Sequence, residues 1–299
     1  MEANRDALDR FALSLKARGS PQTEARYIRA CESLVASADA TPLSHLKRHD
    51  IQRALAKLHA GGLAPRTLAV TLSAWQSWFR YLAKTDASIN PTVFTGLKAP
   101  KAPKRLPNAL SETEAVHLVT PWDPEKPSPM SARDQARFEV LYGCGIRIGE
   151  LIGLDVGDVD LVNGEIRVFG KGRKERVVPL GAPGSSAIST WLDERASNTS
   201  VAPQVALFLG ARGERVSAVV VRRALKSRAL ERGISSHVYP HRLRHSFASH
   251  VLQSSGDLRA VQELMGHASI ASTQVYTHLD FQHLAKVYDQ AHPRARKKP

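Results

Sequence analysis

Residues 241–276 read HRLRHSFASHVLQSSGDLRAVQELMGHASIASTQVY. They hold His241, Arg244, His267 and Tyr276, a cationic and imidazole-rich set with one phenol. Pro240 opens a helical segment in which His241 and Arg244 are three apart and so project from one face, with His245 beside them. Taken alone, HRLRH reads equally well as two capping or packing histidines and a surface arginine. Histidines at i, i+4 also invite a zinc reading, but the metalloprotease pattern needs Glu after the first His, where this chain has Arg242. Neighbouring arginines would repel a divalent cation, so no metal is expected there.

The set becomes chemically complete only with residues far upstream. Cleaving a phosphodiester without metal requires a nucleophile, positive charge on the non-bridging oxygens and an acid for the departing alkoxide. Tyr276 offers a phenol, whose ordinary pKa of about 10 a field of arginines would lower. Arg147, in GCGIRIGEL, and Arg244 offer planar forks matched to two phosphate oxygens. Lys171, in the turn of FGKGRKERV, can reach a leaving oxygen and protonate it. His267, after Met265-Gly266, can hydrogen-bond a phosphate oxygen, Gly266 permitting close approach. His241 can accept the tyrosine proton or orient the phosphate. Glu150 reads either as an orienter behind Arg147 or as a surface or capping residue. The acidic triplet Asp155, Asp158 and Asp160 lacks EF-hand spacing and is assigned to helix ends and turns.

Composition names the class of partner. The 299 residues carry 42 Lys and Arg against 28 Asp and Glu, a net charge of +14, which implies a polyanion. The excess is spread, with +6 on residues 1–100 and +8 on the rest, so both halves can touch phosphate. The start, MEANRDALDRF, is no secretory signal, and no apolar run approaches the roughly 18 residues that span a bilayer. Cys31 and Cys144 supply neither a disulfide framework nor a thiolate metal cluster. No GxxxxGK[ST] run occurs. A cytoplasmic protein without membrane insertion is the expectation.

Residues 1–85 read as a helical domain, because apolar positions recur at helical spacing in ALDRFALSL, YIRACESLV, DIQRALAKL and LAVTLSAWQSWFRYLAK. Starts fall at Pro21, Asp50 and Ala64-Pro65, Gly61-Gly62 ends the third helix, and Trp75, Trp78, Phe79 and Leu82 share one core-facing stripe. Residues 86–105, with Pro91, Pro100 and Pro103 among Lys98, Lys101, Lys104 and Arg105, are a basic proline-rich linker, either a solvated spacer or a strap on the partner's backbone. Residues 106–286 form a second domain opening on a Ser111–Glu114 capping box, mostly α with a small sheet. Its helical segments are 111–119, 131–143, 184–197, 217–232, 241–254, 257–265, 270–278 and 281–290, with PWDPEKPSP a loop between the first two. EIRVFG and RVVPL pair as a hairpin around KGRKE, and ALFLG is a possible third strand. Residues 287–299 are a basic tail.

GCGIRIGEL, GKGRKERVVPL, HRLRHSFASHVLQSSGDLRAVQELMGH and STQVYTHLDFQHLAKVYDQAHPRA together resemble the tyrosine recombinase (phage integrase) family, in its Xer subgroup. The resemblance implies a helical core-binding domain followed by an α+β catalytic domain, the two forming a C-shaped clamp on double-stranded DNA. It places the catalytic set on Arg147, Lys171, His241, Arg244 and His267, with Tyr276 as the nucleophile that becomes an O-(3'-phospho-DNA)-tyrosine. It implies type IB strand cleavage and rejoining with no cofactor, no metal and no ATP. It further implies a heterotetramer of two plus two subunits with a XerD-like recombinase, resolution of chromosome dimers at cell division, and a cell-division DNA translocase as activator. The segment Leu279–Tyr288, with Leu284, Val287 and Tyr288 at helical spacing, can pack at home or dock in a neighbouring subunit as the family's C-terminal helix does, and docking is the expectation for the assembled complex. Departures are small: Gly149 stands where relatives often have Ser, and Met265 where Leu is usual. A type IB topoisomerase and a non-catalytic DNA-binding regulator are the competing readings.

Overall fold

A computed structural model describes residues 2–17, 21–39, 41–101, 109–121, 131–170, 175–197, 205–266 and 278–295. The chain divides into two compact units, Met1–Leu106 and Pro107–Pro299.

The first unit is built from α1 (Glu2–Lys16), α2 (Pro21–Ala38), α3 (Arg48–Ala60) and α4 (Pro65–Leu82). Helix α4 is its spine: Trp75, Trp78 and Phe79 are completely buried, as the stripe implied. Each indole meets its polar need inside the core, Trp75 Nε1 donating to Ala30 O at 2.6 Å and Trp78 Nε1 to Ala7 O at 3.3 Å. Pro65 occupies the first turn of α4, and Gly62, at φ +88°, turns the chain after α3. Asp50 starts no helix. It sits in the first turn of α3, where its carboxylate accepts the Lys47 N–H at 3.0 Å.

The linker expected over 86–105 is corrected over most of its length. Pro91–Phe94 is a 3₁₀ turn capped by Asn90, Ile89 and Phe94 are buried, and the Phe94 ring stands edge-on to Phe79 at 5.0 Å. The prolines do forbid a long helix, but the apolar side chains between them are enough to fasten 89–99 to the first unit's core. Residues 102–105 lie outside the described residues.

The second unit runs α5 (Glu112–Val119), α6 (Ala132–Gly143), α7 (Ile148–Gly153), β1 (Val159–Asp160), β2 (Glu165–Phe169), β3 (Glu175–Pro179), α8 (Ala182–Ser197), α9 (Ala218–Glu231), α10 (Pro240–Ser255), α11 (Leu258–Leu264) and α12 (His278–Ala291). The Ser111–Glu114 box is present in both directions, at 2.9 and 3.1 Å. The sheet is antiparallel in the order β1-β2-β3, with Ile166 opposite Val178 and Val168 opposite Arg176. Its third strand is not ALFLG. Residues 206–209 are buried throughout and make only isolated bridges, Asp155 with Ala206 and Leu209 with Arg215, so the segment plugs the core instead of presenting a strand's alternating faces. The acidic triplet does serve turns and ends: Asp158 accepts the Asp155 N–H, Asp160 accepts from Val162 and Asn163, and Asp155 pairs with Arg215. The PWDPEKPSP and KGRKE segments, apart from Pro121 and Glu175 at their ends, and the helix expected at 270–278, apart from His278, lie outside the described residues.

Helix α10 runs through the core of this unit, with Leu243, Phe247 and Val251 buried. Within the single chain, helix α12 packs on α10. Leu284 begins an apolar stripe that Tyr288 and Ala291 continue, and all three are buried. The tail expected from 287 therefore begins later. His292 is buried with its ring stacked on Tyr288 at 5.0 Å, and Arg294 pairs with the buried carboxylate of Glu139. Residues 296–299 lie outside the described residues. No helix among the described residues is long and apolar enough to cross a membrane.

Candidate active site

Three arginines from three elements converge on one carboxylate. Glu150, in α7, is 3% exposed and is the partner of all of them. Its Oε2 accepts the backbone N–H of Arg147 at 2.7 Å, which caps α7, and its Oε1 accepts from the Arg147 guanidinium at 2.7 Å. From β3, Arg176 grips both oxygens, at 2.8 and 2.9 Å. From α10, Arg244 stands 3.9 Å away. Burial alone would raise the Glu150 pKa, but the hydrogen bonds and charge of Arg176, then those of Arg147, outweigh it and hold the carboxyl at about 2. Glu150 is thus both cap and orienter.

The same three guanidinia take three successive carbonyls at the end of α11. Arg176 Nε donates to Leu264 O at 3.2 Å, Arg244 donates to Met265 O, and Arg147 reaches Gly266 O at 3.4 Å. Cations here satisfy the carbonyls that a helix C-terminus leaves without partners. Gly266 has φ +58°, and a Cβ on it would lie 3.0 Å from Arg176 Cδ. The close approach that Gly266 permits in this structure is therefore that of Arg176.

Exposure separates the roles. Arg147 is 44% exposed, whereas Arg244 is 2% exposed and also donates to Gly145 O at 2.6 Å. Burial, and then the neighbouring Arg147, push the Arg244 pKa down to about 9. A guanidinium so placed still carries its charge at neutral pH. Gly145, at φ +58°, would put a Cβ only 2.3 Å from the Phe247 ring. Gly145→Ala is therefore expected to destabilise the fold by roughly 2–4 kcal/mol, from overpacking plus left-handed strain, read as a lowered midpoint in urea unfolding.

Arg147, Glu150, Arg244 and His241 line a cleft of about 460 Å³ together with Ile148, Gly149, Phe169, Gly170 and Pro240. His241 lies exposed in the first turn of α10, one turn before Arg244. Three of the six sequence-predicted residues, Arg147, His241 and Arg244, are thus brought together. Lys171, His267 and Tyr276 lie outside the described residues. Gly170 and Gly266, which precede Lys171 and His267 in the chain, are at the cleft wall and on Arg147 respectively. Chemically, three guanidinia against one carboxylate leave net positive charge with open donors, a site for an anion with paired oxygens. Among the described residues no group of three or more His, Cys, Asp or Glu is placed to hold a metal.

Arg176 is the member that sequence reading missed. Its signal was the strand's period of two: if Val178 faces inward in ERVVP, so does Arg176, and a buried arginine needs an acidic partner.

The model of the phage integrase family matches residues 108–283, and that of the phage integrase N-terminal SAM-like domain matches residues 8–86. The chain belongs to the phage integrase family. The tyrosine recombinase XerC 1 of Ralstonia nicotianae is 47% identical, with 96% of this chain and 92% of that protein covered. The tyrosine recombinase XerC of Chromobacterium violaceum is 46% identical over 98% of this chain and 96% of its own length. Among solved structures, the XerH site-specific recombinase bound to palindromic difH substrate in a post-cleavage complex shares 25% identity and a TM-score of 0.71, with 94% of this chain and 83% of that one covered. As a phage integrase family member of the tyrosine recombinase class, the protein is a site-specific DNA recombinase. Its mainly helical architecture with a small sheet is the family's.

Proposed function

We propose that this recombinase cuts and rejoins DNA through a 3'-phosphotyrosyl intermediate on Tyr276 and acts with a XerD-like partner to resolve chromosome dimers at cell division. The observation that carries the chemistry is the convergence of Arg147 and Arg244 on Glu150 beside His241 in one cleft. Two guanidinia on the non-bridging oxygens stabilise charge that grows as phosphorus becomes five-coordinate. The Tyr276 oxygen attacks phosphorus and the bond to the 5'-oxygen breaks. The phenolic proton passes to His241 or solvent, and Lys171 donates a proton to the departing 5'-oxygen. His267 hydrogen-bonds a phosphate oxygen. A 5'-hydroxyl from the second duplex then attacks the phosphotyrosine and releases Tyr276. One phosphodiester is exchanged for another through an ester of similar energy, so the cycle needs no outside energy source.

The similarity to XerC proteins supports the partner and the cellular task. In this reading residues 1–85 are a core-binding domain, residues 106–286 the catalytic domain, the site of action is the cytoplasm, and a cell-division DNA translocase triggers the exchange. The test is a strand-exchange assay on a duplex recombination site, with and without a XerD-like recombinase. Recombinant product only with both proteins is the expected outcome; relaxation of supercoiled plasmid without exchange would assign a topoisomerase instead. Binding is also expected to weaken linearly with log salt, by about 0.9 per neutralised phosphate, with a slope of about −5 or steeper if six or more phosphates are held. A flat salt response in fluorescence anisotropy would contradict an extensive backbone contact.

A further inference from the structure

Arg176 touches the two arginines' shared anchor but lies behind the cleft, buried to 7% exposure. Two physical consequences follow from its position. The first is electrostatic. Glu150 orients Arg147, yet every carboxylate beside a phosphate-binding guanidinium cancels part of its charge. With Arg176 bidentate on Glu150, the carboxylate's charge is met from behind, and the positive charge of Arg147 and Arg244 remains for an anion in front. The second is geometric. Arg176 Nε holds Leu264 O, so one side chain joins the strand that follows Lys171, the helix that Arg147 caps and the end of α11 that precedes His267.

We infer that Arg176 is a positioning residue for strand cleavage, one that offsets Glu150 and clamps the end of α11 so that Arg147 and Arg244 meet the scissile phosphate with full charge. This rests on the proposed reading of Arg147 and Arg244 as phosphate binders. Without Arg176, the buried carboxylate would draw both remaining guanidinia inward, away from the cleft. A displacement on the order of 1 Å at such a site costs about 10²-fold in rate.

The experiment compares single-turnover cleavage of two nicked suicide duplexes, one with an ordinary scissile phosphate and one with a neutral methylphosphonate there. For Arg176→Met, DNA affinity should stay within about threefold while cleavage of the phosphate substrate falls about 10²-fold. Relative to the unmutated protein, the defect should shrink to less than about tenfold on the methylphosphonate, because the charge that Arg176 protects has lost its target. Arg176→Lys, which keeps the charge without the fork, should fall between. An equal defect on both substrates would reduce Arg176 to general structural support and overturn the inference, as would unmutated rates. Loss of the folded state in both variants would overturn it as well. Tyr276→Phe run alongside separates the two levels: an adduct from that variant overturns the phosphotyrosyl reading itself, whereas no adduct there together with full activity of Arg176→Met overturns only the role of Arg176.

Discussion

Tyr276→Phe should abolish the covalent protein–DNA adduct while leaving DNA affinity within about twofold, because phosphate contacts by basic side chains carry the affinity and the aromatic ring is retained. The change removes one oxygen, and that oxygen is the proposed nucleophile. Nucleophile removal in covalent catalysis costs on the order of 10⁶-fold, so a nicked suicide duplex incubated for hours should give no denaturant-resistant adduct. Persistence of an adduct at a tenth of the normal yield or more would mean that another group attacks. Arg147 and Arg244 gather at Glu150 with net positive charge, and under the proposed mechanism a phenol brought to that cleft would be favoured as phenolate.

Lys171→Ala should slow cleavage by roughly 10²–10⁴-fold, the usual range for a lost general acid. The departing 5'-oxygen is a poor leaving group as an alkoxide and needs a proton in flight. A 5'-bridging phosphorothiolate leaves as a thiolate, with an ordinary thiol pKa of about 8.5, and needs none. Cleavage of that substrate by Lys171→Ala should return to within about tenfold of the unmutated protein. No recovery would give Lys171 another task, such as charge stabilisation of the phosphate.

The sequence was legible where one physical rule governed. Helical spacing located α1 to α4, Pro21 and Ala64-Pro65 marked where α2 and α4 begin, and the Trp75, Trp78 and Phe79 stripe was core as burial demands. The antiparallel pairing of EIRVF with ERVVP followed from β-rich runs around a turn. The cleft partners Arg147, His241 and Arg244 were legible because phosphate chemistry calls for those side chains, although they are separated by up to 97 positions in the chain.

What escaped was set by tertiary packing. Prolines in 86–105 signalled irregular backbone, but whether Ile89 and Phe94 found a core depended on the face that α4 offered. ALFLG had strand composition, yet it pairs only through isolated bridges at Ala206 and Leu209 among the described residues. Continuation of the last helix to Ala291, and the burial of His292, depended on the groove beside α10. Arg176 was hidden because a basic residue in a short strand reads as solvent-facing until its inward neighbour Val178 fixes the alternation. Glu150 was recognised beside Arg147, but its service to three arginines could not be counted without the fold.

The most direct measurement traps the unmutated protein on a nicked suicide duplex, digests the adduct and identifies by mass spectrometry the modified residue and the DNA end attached to it. The expected result is a nucleotide joined through its 3'-phosphate to Tyr276, with a free 5'-hydroxyl on the released strand. Attachment to any other residue, or through a 5'-phosphate, would contradict the proposed chemistry.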